Sequence, residues 1–255
     1  MYSKEELKEL CSEEDELTDE EVLFLLAALH TTLTSLEDEI RLFYQKYGKD
    51  GIITHSEVRK WVSSNNHTKR IVLLNQTISD IFDVGFAAFE NSFIKHLQNI
   101  VLKESEFFGV KVDVNEILNT VWGVDESTWL QRLNAHKKRW TITINNDLKI
   151  SFLKRDSVLD VLTQATKRGQ SMETILKRLW RTESNAISSI ARQKIYEKLG
   201  ITHYRFIHID KCNCEQCSDI DGQVFPISEY VVGVTANPLH PNCRDTTEPI
   251  ANNTE

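Results

Sequence analysis

Four cysteine and histidine residues near the end of the chain have the spacing of metal ligands. Cys214 and Cys217 form a C-x-x-C pair, and His240 and Cys243 form an H-x-x-C pair. In each pair a tight turn lets both side chains reach one ion, and three thiolates with one imidazole suit tetrahedral zinc. A closed set of four ligands leaves no position for water. We therefore expect a structural zinc that contributes to the folding of this segment.

Three other interpretations of these cysteines stay open. A disulfide is disfavoured in a reducing compartment. A redox C-x-x-C pair is typical of a helix N-terminus in a βαβ unit, which the acidic residues within and after this pair do not indicate. The cysteines can also be loop residues without a metal. Cys212 and Asp245 are weaker candidate ligands, and Cys11 is expected to be a small apolar side chain.

The composition is that of a globular protein that stays out of membranes. Of the 255 residues, 40% are hydrophobic and 27% charged, which are ordinary values. The N-terminal segment is acidic and lacks the apolar core of a signal peptide. The longest apolar run, 23–30, is too short to span a bilayer. We expect the protein to be made and kept in a reducing cytoplasm.

Apolar residues at three- and four-residue steps predict a mainly α-helical protein. Two long helices, from about Thr18 to Gly48 and from about Thr68 to Lys103, indicate a helical hairpin or bundle. Thr18 is interpreted as the cap of the first helix. Weaker periodicity returns from Ser127. Shorter helices are predicted over about 56–62, 158–167, 172–180 and 184–199, with a break at 168–170 and a cap at Ser171.

The pattern changes after Ile201 from helical to extended. Alternation over 204–208 predicts a short strand, and Asp221-Gly222 predicts the tight turn of a hairpin. The rest of this segment is expected to be loop and turn. We therefore predict a small β-hairpin, stapled by zinc, at the end of a helical domain. The predicted organisation is a helical N-terminal arm over 1–105, a hinge over 106–125, and a C-terminal domain over 126–250 with a zinc knuckle at about 204–246.

Basic residues are concentrated in one segment of an acidic protein. Between Lys137 and Lys211 there are 16 Lys and Arg against 7 Asp and Glu, and the rest of the chain has 14 against 31. Such a segment suits contact with nucleic acid or an acidic partner. A solvated surface that faces acidic helices of the same protein explains it equally well. The candidate contact residues are Lys137, Lys138, Arg139, Lys177, Arg178, Arg192 and Lys194.

The sequence contains none of the common catalytic motifs. It has no phosphate-binding loop, nucleophile elbow or H-E-x-x-H pair. A metal-dependent hydrolase would also need a carboxylate base. We instead interpret Glu183 as a first-turn helix residue that pairs with a basic neighbour, and Arg181 as a residue that orients the hairpin. We therefore expect no enzymatic activity. The only candidate bases are Glu183, Glu215, Asp219 and Asp221.

The order of these motifs resembles the Mu F-like minor head proteins of tailed phages, also called phage head morphogenesis proteins. The series comprises Arg181-Thr182-Glu183, Asp210, the C-x-x-C pair, Asp221-Gly222 and His240-Pro241-Asn242-Cys243-Arg244. Asn213 and Asp245 stand where that family has Thr and Cys. The resemblance covers roughly residues 125–250. The N-terminal half is similar only in style, with helices around the turn YQKYGKDGIIT.

The resemblance implies a structural protein of the virion, assembled in the host cytoplasm and placed inside the capsid near the portal. Its implied role is to support head assembly, DNA packaging or ejection. The portal protein is the implied partner, with scaffolding or major capsid protein, and phage DNA bound without sequence preference, as further candidates. A DNA-binding module of the virion is the alternative function, and a zinc-dependent hydrolase or nuclease is the weaker one. The family's structural motif corresponds to Arg181, Glu183, Asp210, Asp221, Gly222 and Arg244.

Overall fold

Long α-helices form most of the chain. The computed structural model describes residues 4–63, 67–209 and 214–250. The mainly α-helical fold with a small antiparallel sheet near the C-terminus is confirmed. The helices are α1 (Lys4–Tyr47), α2 (His55–Ser63), α3 (His67–Phe108), α4 (Val114–Leu118), α5 (Trp129–Lys154), α6 (Val158–Lys198) and α7 (Glu215–Asp219). The strands are β1 (Gly48–Lys49), β2 (Ile52–Ile53), β3 (His203–Ile207), β4 (Val224–Pro226) and β5 (Thr246–Ile250).

The first helix begins well before the predicted cap. Thr18 lies inside α1, and its hydroxyl donates to the Glu14 carbonyl one turn earlier, at 2.6 Å. The prediction that Thr18 starts the helix is therefore wrong. Leu7 and Leu10 are buried and extend the apolar stripe of α1 towards the N-terminus. Burial of this stripe, rather than a local capping signal, sets the length of the helix.

The predicted break at 168–170 is also wrong, because α6 is continuous from Val158 to Lys198. Neither Ser171 nor Ser184 starts a helix. Gly169 lies where α6 approaches α1 closely, since a Cβ atom there would be 2.6 Å from Leu33 Cδ1. A glycine inside a helix costs roughly 0.5–1 kcal/mol relative to alanine. Here it permits close helix packing instead of ending the helix.

The chain forms two compact units. The terminal unit comprises residues 1–23, 92–132 and 176–255, and the central unit comprises residues 24–91 and 133–175. Within the predicted hinge, the structure has the end of α3 and the short helix α4. Asp113 caps α4 by accepting from the Asn115 and Glu116 amides at 2.9 and 3.2 Å. The division into an arm, a hinge and a C-terminal domain stays a prediction.

The central unit has an apolar core built largely from aromatic rings. Phe43 of α1 stacks on Phe152 of α5, with ring centroids 4.8 Å apart. Phe86 of α3 packs against Trp140 of α5 at 5.7 Å. None of the helices described in the chain is long and apolar enough to cross a membrane.

The terminal unit combines helix ends with the three-stranded sheet. Phe93 of α3 stacks on Trp180 of α6 at 3.8 Å. The sheet has the order β4-β3-β5, and β3 is antiparallel to both neighbours. Tyr204 and Phe206 of β3 are buried. Strand β5 replaces the loop expected there, and Pro249 is tolerated because β5 lies at the edge of this sheet.

Candidate metal centre

Helix α7 and the loop before β5 bring four potential metal ligands together. The ligand atoms of Cys217, His240, Cys243 and Asp245 all lie within 4.8 Å of one another. The two sulfur atoms are 4.0 Å apart. A tetrahedral zinc with Zn–S bonds of about 2.3 Å requires roughly 3.8 Å. This group of donors therefore fits a zinc ion in the number, type and spacing of its atoms.

Short local elements position these ligands. Cys217 lies in α7, where Cys214 occupies the N-cap position. His240 and Cys243 lie on one turn, closed by a hydrogen bond from the Cys243 amide to the His240 carbonyl at 3.1 Å. Asn242 adopts a φ of 63° in this turn, a left-handed conformation that asparagine tolerates better than most residues. The H-x-x-C spacing thereby brings both side chains towards α7.

Asp245 is oriented by a second layer of hydrogen bonds. Its Oδ1 accepts from the Ile209 amide at 2.9 Å and lies 2.8 Å from His208 Nδ1. Its Oδ2 accepts from the Cys243 thiol at 3.2 Å. Asp245 is buried. Metal-binding carboxylates are commonly fixed in this way, with one oxygen held by outer residues and the other directed at the ion.

Burial makes the two thiols weak acids. It raises the pKa of Cys243 to about 12, and the nearby Asp245 carboxylate acts in the same direction. Burial also raises the pKa of Cys217, with further contributions from Asp245 and Cys243. Both thiols are then protonated at neutral pH in the metal-free protein. Metal binding would displace these protons, so affinity should increase with pH.

Cys214, a predicted ligand, lies beside this group but is not one of the four clustered residues. It is partly buried and packs against Phe206, Cys217 and Cys243. The structure thus brings together three of the four predicted ligands, with Asp245 as the fourth neighbour. Asp210 and Cys212 lie outside the described residues.

Helix α6 fixes the loop that carries His240 and Cys243. The Asn185 amide donates to the carbonyls of Cys243 and Asp245 at 2.9 and 3.3 Å. The Thr182 hydroxyl accepts from the Asn242 amide at 3.1 Å. Asn237 in turn donates to the Asn185 side-chain oxygen. The middle of α6 is therefore the support on which this side of the metal centre is built.

Comparison with protein families identifies the segment that contains this arrangement. Residues 160–248 match the family model described as Phage Mu protein F like protein. The chain contains a Mu F-like domain. The match lies inside the region, roughly 125–250, in which the motif order resembles this family, and the predicted relationship is confirmed. No curated protein and no solved structure matches the chain.

The Mu F-like domain contains the buried carboxylate Glu183, which is fully engaged in an ion pair. Arg132 Nη1 donates to both Glu183 oxygens at 2.9 and 3.1 Å, and Trp122 Nε1 donates at 2.9 Å. Burial raises the pKa of Glu183, although Arg132 opposes the shift. Glu183 does pair with a basic residue, but it lies deep inside α6 rather than in a first helical turn. Its contacts are those of a structural carboxylate.

Arg181 of the Mu F-like domain forms an ion pair with Asp19 of α1. Its guanidinium donates to Asp19 Oδ1 at 3.0 and 2.8 Å. Arg244, next to Cys243, lies 3.8 Å from Asp19 Oδ2 and 3.3 Å from Asp15 Oδ2. Arg181 is therefore connected to the metal-centre loop through the shared Asp19.

Asp221 and Gly222 form the turn that leads into β4. Asp221 Oδ1 accepts from the His208 amide at 2.8 Å. Gly222 has a φ of 73° and donates its amide to the Phe206 carbonyl at 2.9 Å. The turn thereby closes the connection between β3 and β4, which contains α7.

The candidate contact residues for nucleic acid or portal differ in exposure and in pairing. Lys137 pairs with Asp83 and Lys194 with Glu116, each at 2.9 Å. Arg192 is fully buried. Its interpretation as a surface contact is wrong, because its guanidinium binds the buried Glu104 at 2.7 Å and cannot reach a phosphate. Lys177 is partly buried, and the exposed members of the set are Lys138, Arg139 and Arg178.

Sequence reasoning did not identify several residues that organise the site. Asn185 and His208 carry no motif of their own, and their roles depend on contacts with residues far along the chain. Arg132 meets Glu183 across 51 positions. Asp245, by contrast, was predicted as a weaker candidate ligand. It stands where the family has a cysteine, and a carboxylate can replace a thiolate as a zinc ligand.

Proposed function

We propose that this protein is a minor head protein of a tailed phage that associates with the portal and supports head assembly, DNA packaging or ejection. The carrying observation is that the Mu F-like segment, 160–248, coincides with the residues that build the metal centre and its support. Placement inside the capsid near the portal, after assembly in the host cytoplasm, follows from this proposal. Scaffolding or major capsid protein is a further partner of the same kind.

We infer a structural zinc ion held by Cys217, His240, Cys243 and Asp245. When bound, zinc would cross-link α7 to the loop before β5. Cys217, Cys243 and Asp245 are buried. If both thiols ionised without a metal, three negative charges would lie together away from water, which is unfavourable. A bound cation would compensate these charges. Cys214 is the competing fourth ligand, because it packs against the same cluster. Four protein ligands leave no position for a reactive water, which supports a structural role.

Elemental analysis of protein purified without added metal tests the zinc centre. We expect about one zinc per chain in the wild type, and loss of the zinc in Cys217→Ser. Protease resistance of residues 203–250 should be lost with it. Cys11→Ala is the matched control, since Cys11 lies outside the cluster. Comparison of Asp245→Asn with Cys214→Ser identifies the fourth ligand. A wild type without zinc, and as protease-resistant as Cys217→Ser, would contradict the proposal.

Portal association is tested by co-expression with the portal protein of the same phage. We expect the two proteins to co-purify after nuclease treatment, and mass spectrometry of purified capsids to detect this protein. A portal protein from an unrelated phage is the control. If the protein is missing from capsids and does not bind the portal, the proposed role in the head is wrong.

Non-specific DNA binding is the second candidate function. It is favoured by the exposed basic residues Lys138, Arg139 and Arg178. Contacts to phosphates would make the affinity fall steeply with salt, by about 0.9 in log K per log salt for each contact. Replacement of all three by glutamine should lower the affinity and flatten this slope. Equal binding by the triple variant would remove these residues as the DNA contact.

Catalysis is the least supported candidate. Both oxygens of Glu183 accept hydrogen bonds from Arg132, and both oxygens of Asp245 are also engaged. These carboxylates act as fixed acceptors in the fold. We therefore propose a structural rather than an enzymatic role for the Mu F-like domain.

A further inference from the structure

The central unit has an exposed apolar groove between α1 and α3. Its α1 side runs from Ala28 to Tyr47, and its α3 side runs from Leu73 to Ala88. Two adjoining hollows of about 480 and 550 Å³ share Thr77. The middle is lined by small residues, which let another helix approach closely: Ala28, Thr31, Ser35 and Ala88. Large apolar side chains, each more than half exposed, lie along it: Leu42, Leu73 and Val84.

The same unit carries a second exposed surface of matching character on α5. Its residues recur at three- and four-residue steps and therefore form one helical stripe. Ile142, Ile150 and Leu153 are each about half exposed. The α5 stripe consists of Ala135, Lys138, Arg139, Ile142, Asn146, Lys149, Ile150 and Leu153, all of them exposed.

The two surfaces carry opposite charges. The groove is lined by Glu39 of α1 and Asp80 of α3, and neither forms an ion pair with a described residue. Lys46 also lines it, at the end of α1, where its ammonium lies over the Tyr47 ring. The stripe carries Lys138, Arg139 and Lys149, which likewise lack an acidic partner among the described residues. The neighbouring Lys137, by contrast, is paired with Asp83. Among the described residues, the carboxylates that line the groove and the cations of the stripe thus lack an ionic partner.

From these complementary surfaces we propose that the α5 stripe of one copy docks into the α1–α3 groove of a second copy. At 1.5 Å per residue, the stripe from Ala135 to Leu153 is about 27 Å long, and the groove side from Ala28 to Tyr47 is about 29 Å long. The apolar centre of the stripe would cover the apolar groove. Lys138, Arg139 and Lys149 would then meet the carboxylates that line the groove. This proposal does not rest on the role in the phage head.

The stripe must act on another copy because α5 already packs in its own core through the opposite side. Trp140, Ile144 and Leu148 of α5 are buried there. The contact joins two different surfaces, so it is heterologous, and successive copies form a closed ring or an open chain. Each copy then uses its groove once and its stripe once.

Charge reversal with rescue tests this docking on the full-length protein. The groove variant carries Glu39→Lys and Asp80→Lys, and the stripe variant carries Lys138→Glu and Lys149→Glu. Sedimentation equilibrium should show concentration-dependent association of the wild type. Each variant alone should associate about tenfold more weakly or worse, a loss of about 1.4 kcal/mol. A chain with all four substitutions should regain association, because its two surfaces are again of opposite charge.

Matched controls separate docking from net charge and from folding. Glu9→Lys with Glu16→Lys, and Lys8→Glu with Lys95→Glu, change exposed residues of the terminal unit by the same charge. They should associate as the wild type does, and circular dichroism should show equal helix content in all variants. A monomeric wild type at every concentration would overturn the proposal. The proposal would also be overturned if each variant associates more weakly and the chain with all four substitutions does not regain association. The groove would then bind a surface other than the α5 stripe.

Discussion

The two units of this protein differ most in what they bury. Among the described residues, the buried polar and charged side chains of the central unit are Thr32 and Ser151. The terminal unit buries many, including Glu104, Glu183 and Arg192, each at most 1% exposed. An apolar core tolerates several packings of similar energy, whereas buried ions are strongly penalised outside one arrangement. We infer that the terminal unit gains positional precision for the metal centre at the expense of stability.

A network of five side chains shows how this polar core is organised. Arg192 of α6 donates to Glu104 of α3 at 2.7 Å. The Ser188 hydroxyl lies 2.5 Å from Glu104 Oε1 and 3.1 Å from Oε2 of Glu14 in α1, and it can donate its one proton to either carboxyl group. Burial, and then Glu104, raise the pKa of Glu14 well above its usual range. Cys11, expected to be a plain apolar side chain, accepts from Arg192 at 3.4 Å. Three helices are therefore held in register by charge rather than by apolar packing alone.

Removal of Arg192, the cation of this buried network, should have the largest effect on stability. Arg192→Met leaves Glu104 buried without its counter-ion, and we expect a loss of about 3–5 kcal/mol in the free energy of unfolding. Urea unfolding gives the total change. Hydrogen exchange should place the loss of protection in the terminal unit rather than in the central unit.

The double variant Arg192→Met with Glu104→Gln sharpens this result. It removes both charges, so it should be less destabilised than Arg192→Met alone. An Arg192→Met protein as stable as the wild type would show that the network contributes little. The buried charges of the terminal unit would then not contribute to its stability.

Acid should weaken the terminal unit through His96. This residue is buried, its Nε2 lies 2.8 Å from the Ser184 hydroxyl, and burial lowers its pKa to about 4. An unfolded histidine has a pKa of about 6.5, so the stability that neutral His96 supports is present above pH 6.5 and lost as the pH falls towards 4. Relative to His96→Gln, the wild type should lose about 3 kcal/mol between pH 7 and pH 4.

Glu14 provides a control with the opposite sign. Its pKa is raised in the folded state, so its contribution is greatest below about pH 4.3 and decreases as the pH rises towards the folded value. Glu14→Gln should therefore become more stable relative to the wild type as the pH rises. Parallel pH profiles of wild type, His96→Gln and Glu14→Gln would exclude both groups as the source of the pH dependence.

The stability of the central unit should depend on the volume of its side chains rather than on their charge. A Cβ atom at Gly85 of α3 would lie 2.1 Å from Thr32 Oγ1 of α1. Gly85→Ala should therefore cost about 1–3 kcal/mol through overpacking, even though alanine is the better helix former. Thermal unfolding measures the loss. Thr32→Ala in the same chain should restore most of it, and failure of this rescue would show that the close approach of α1 and α3 is not the cause.

Apolar periodicity was sufficient to predict the long helices, because burial of a stripe determines where they extend. It failed where one polar or small residue was taken as a boundary. Thr18 and Gly169 are common signals of helix ends, but here each is inside a helix and in contact with another part of the chain. Tertiary packing decided both positions, and a local signal carries no information about it.

In the candidate site, too, some residues could be predicted from the sequence and others depended on tertiary contacts. Close spacing in the sequence brought Cys217, His240 and Cys243 to attention, since pairs three residues apart can share one ion. The role of Asp245 depends on its contact with His208, 37 positions away. Arg192 was expected at the surface because charged side chains are rarely buried without a partner. That partner, Glu104, lies 88 positions away.

The smallest loss of stability is expected from removing exposed ion pairs, and each unit has pairs of this type. Asp19 binds Arg181 at 2.8 Å, and Asp83 of the central unit binds Lys137 at 2.9 Å. Because all four side chains are partly exposed, Asp19→Asn and Asp83→Asn should each cost less than about 1 kcal/mol, and less again in about 1 M salt. Urea unfolding at two salt concentrations measures both. A much larger, salt-resistant loss for Asp19→Asn alone would mean that the polar organisation of the terminal unit extends to its surface, through Arg244 and the metal-centre loop.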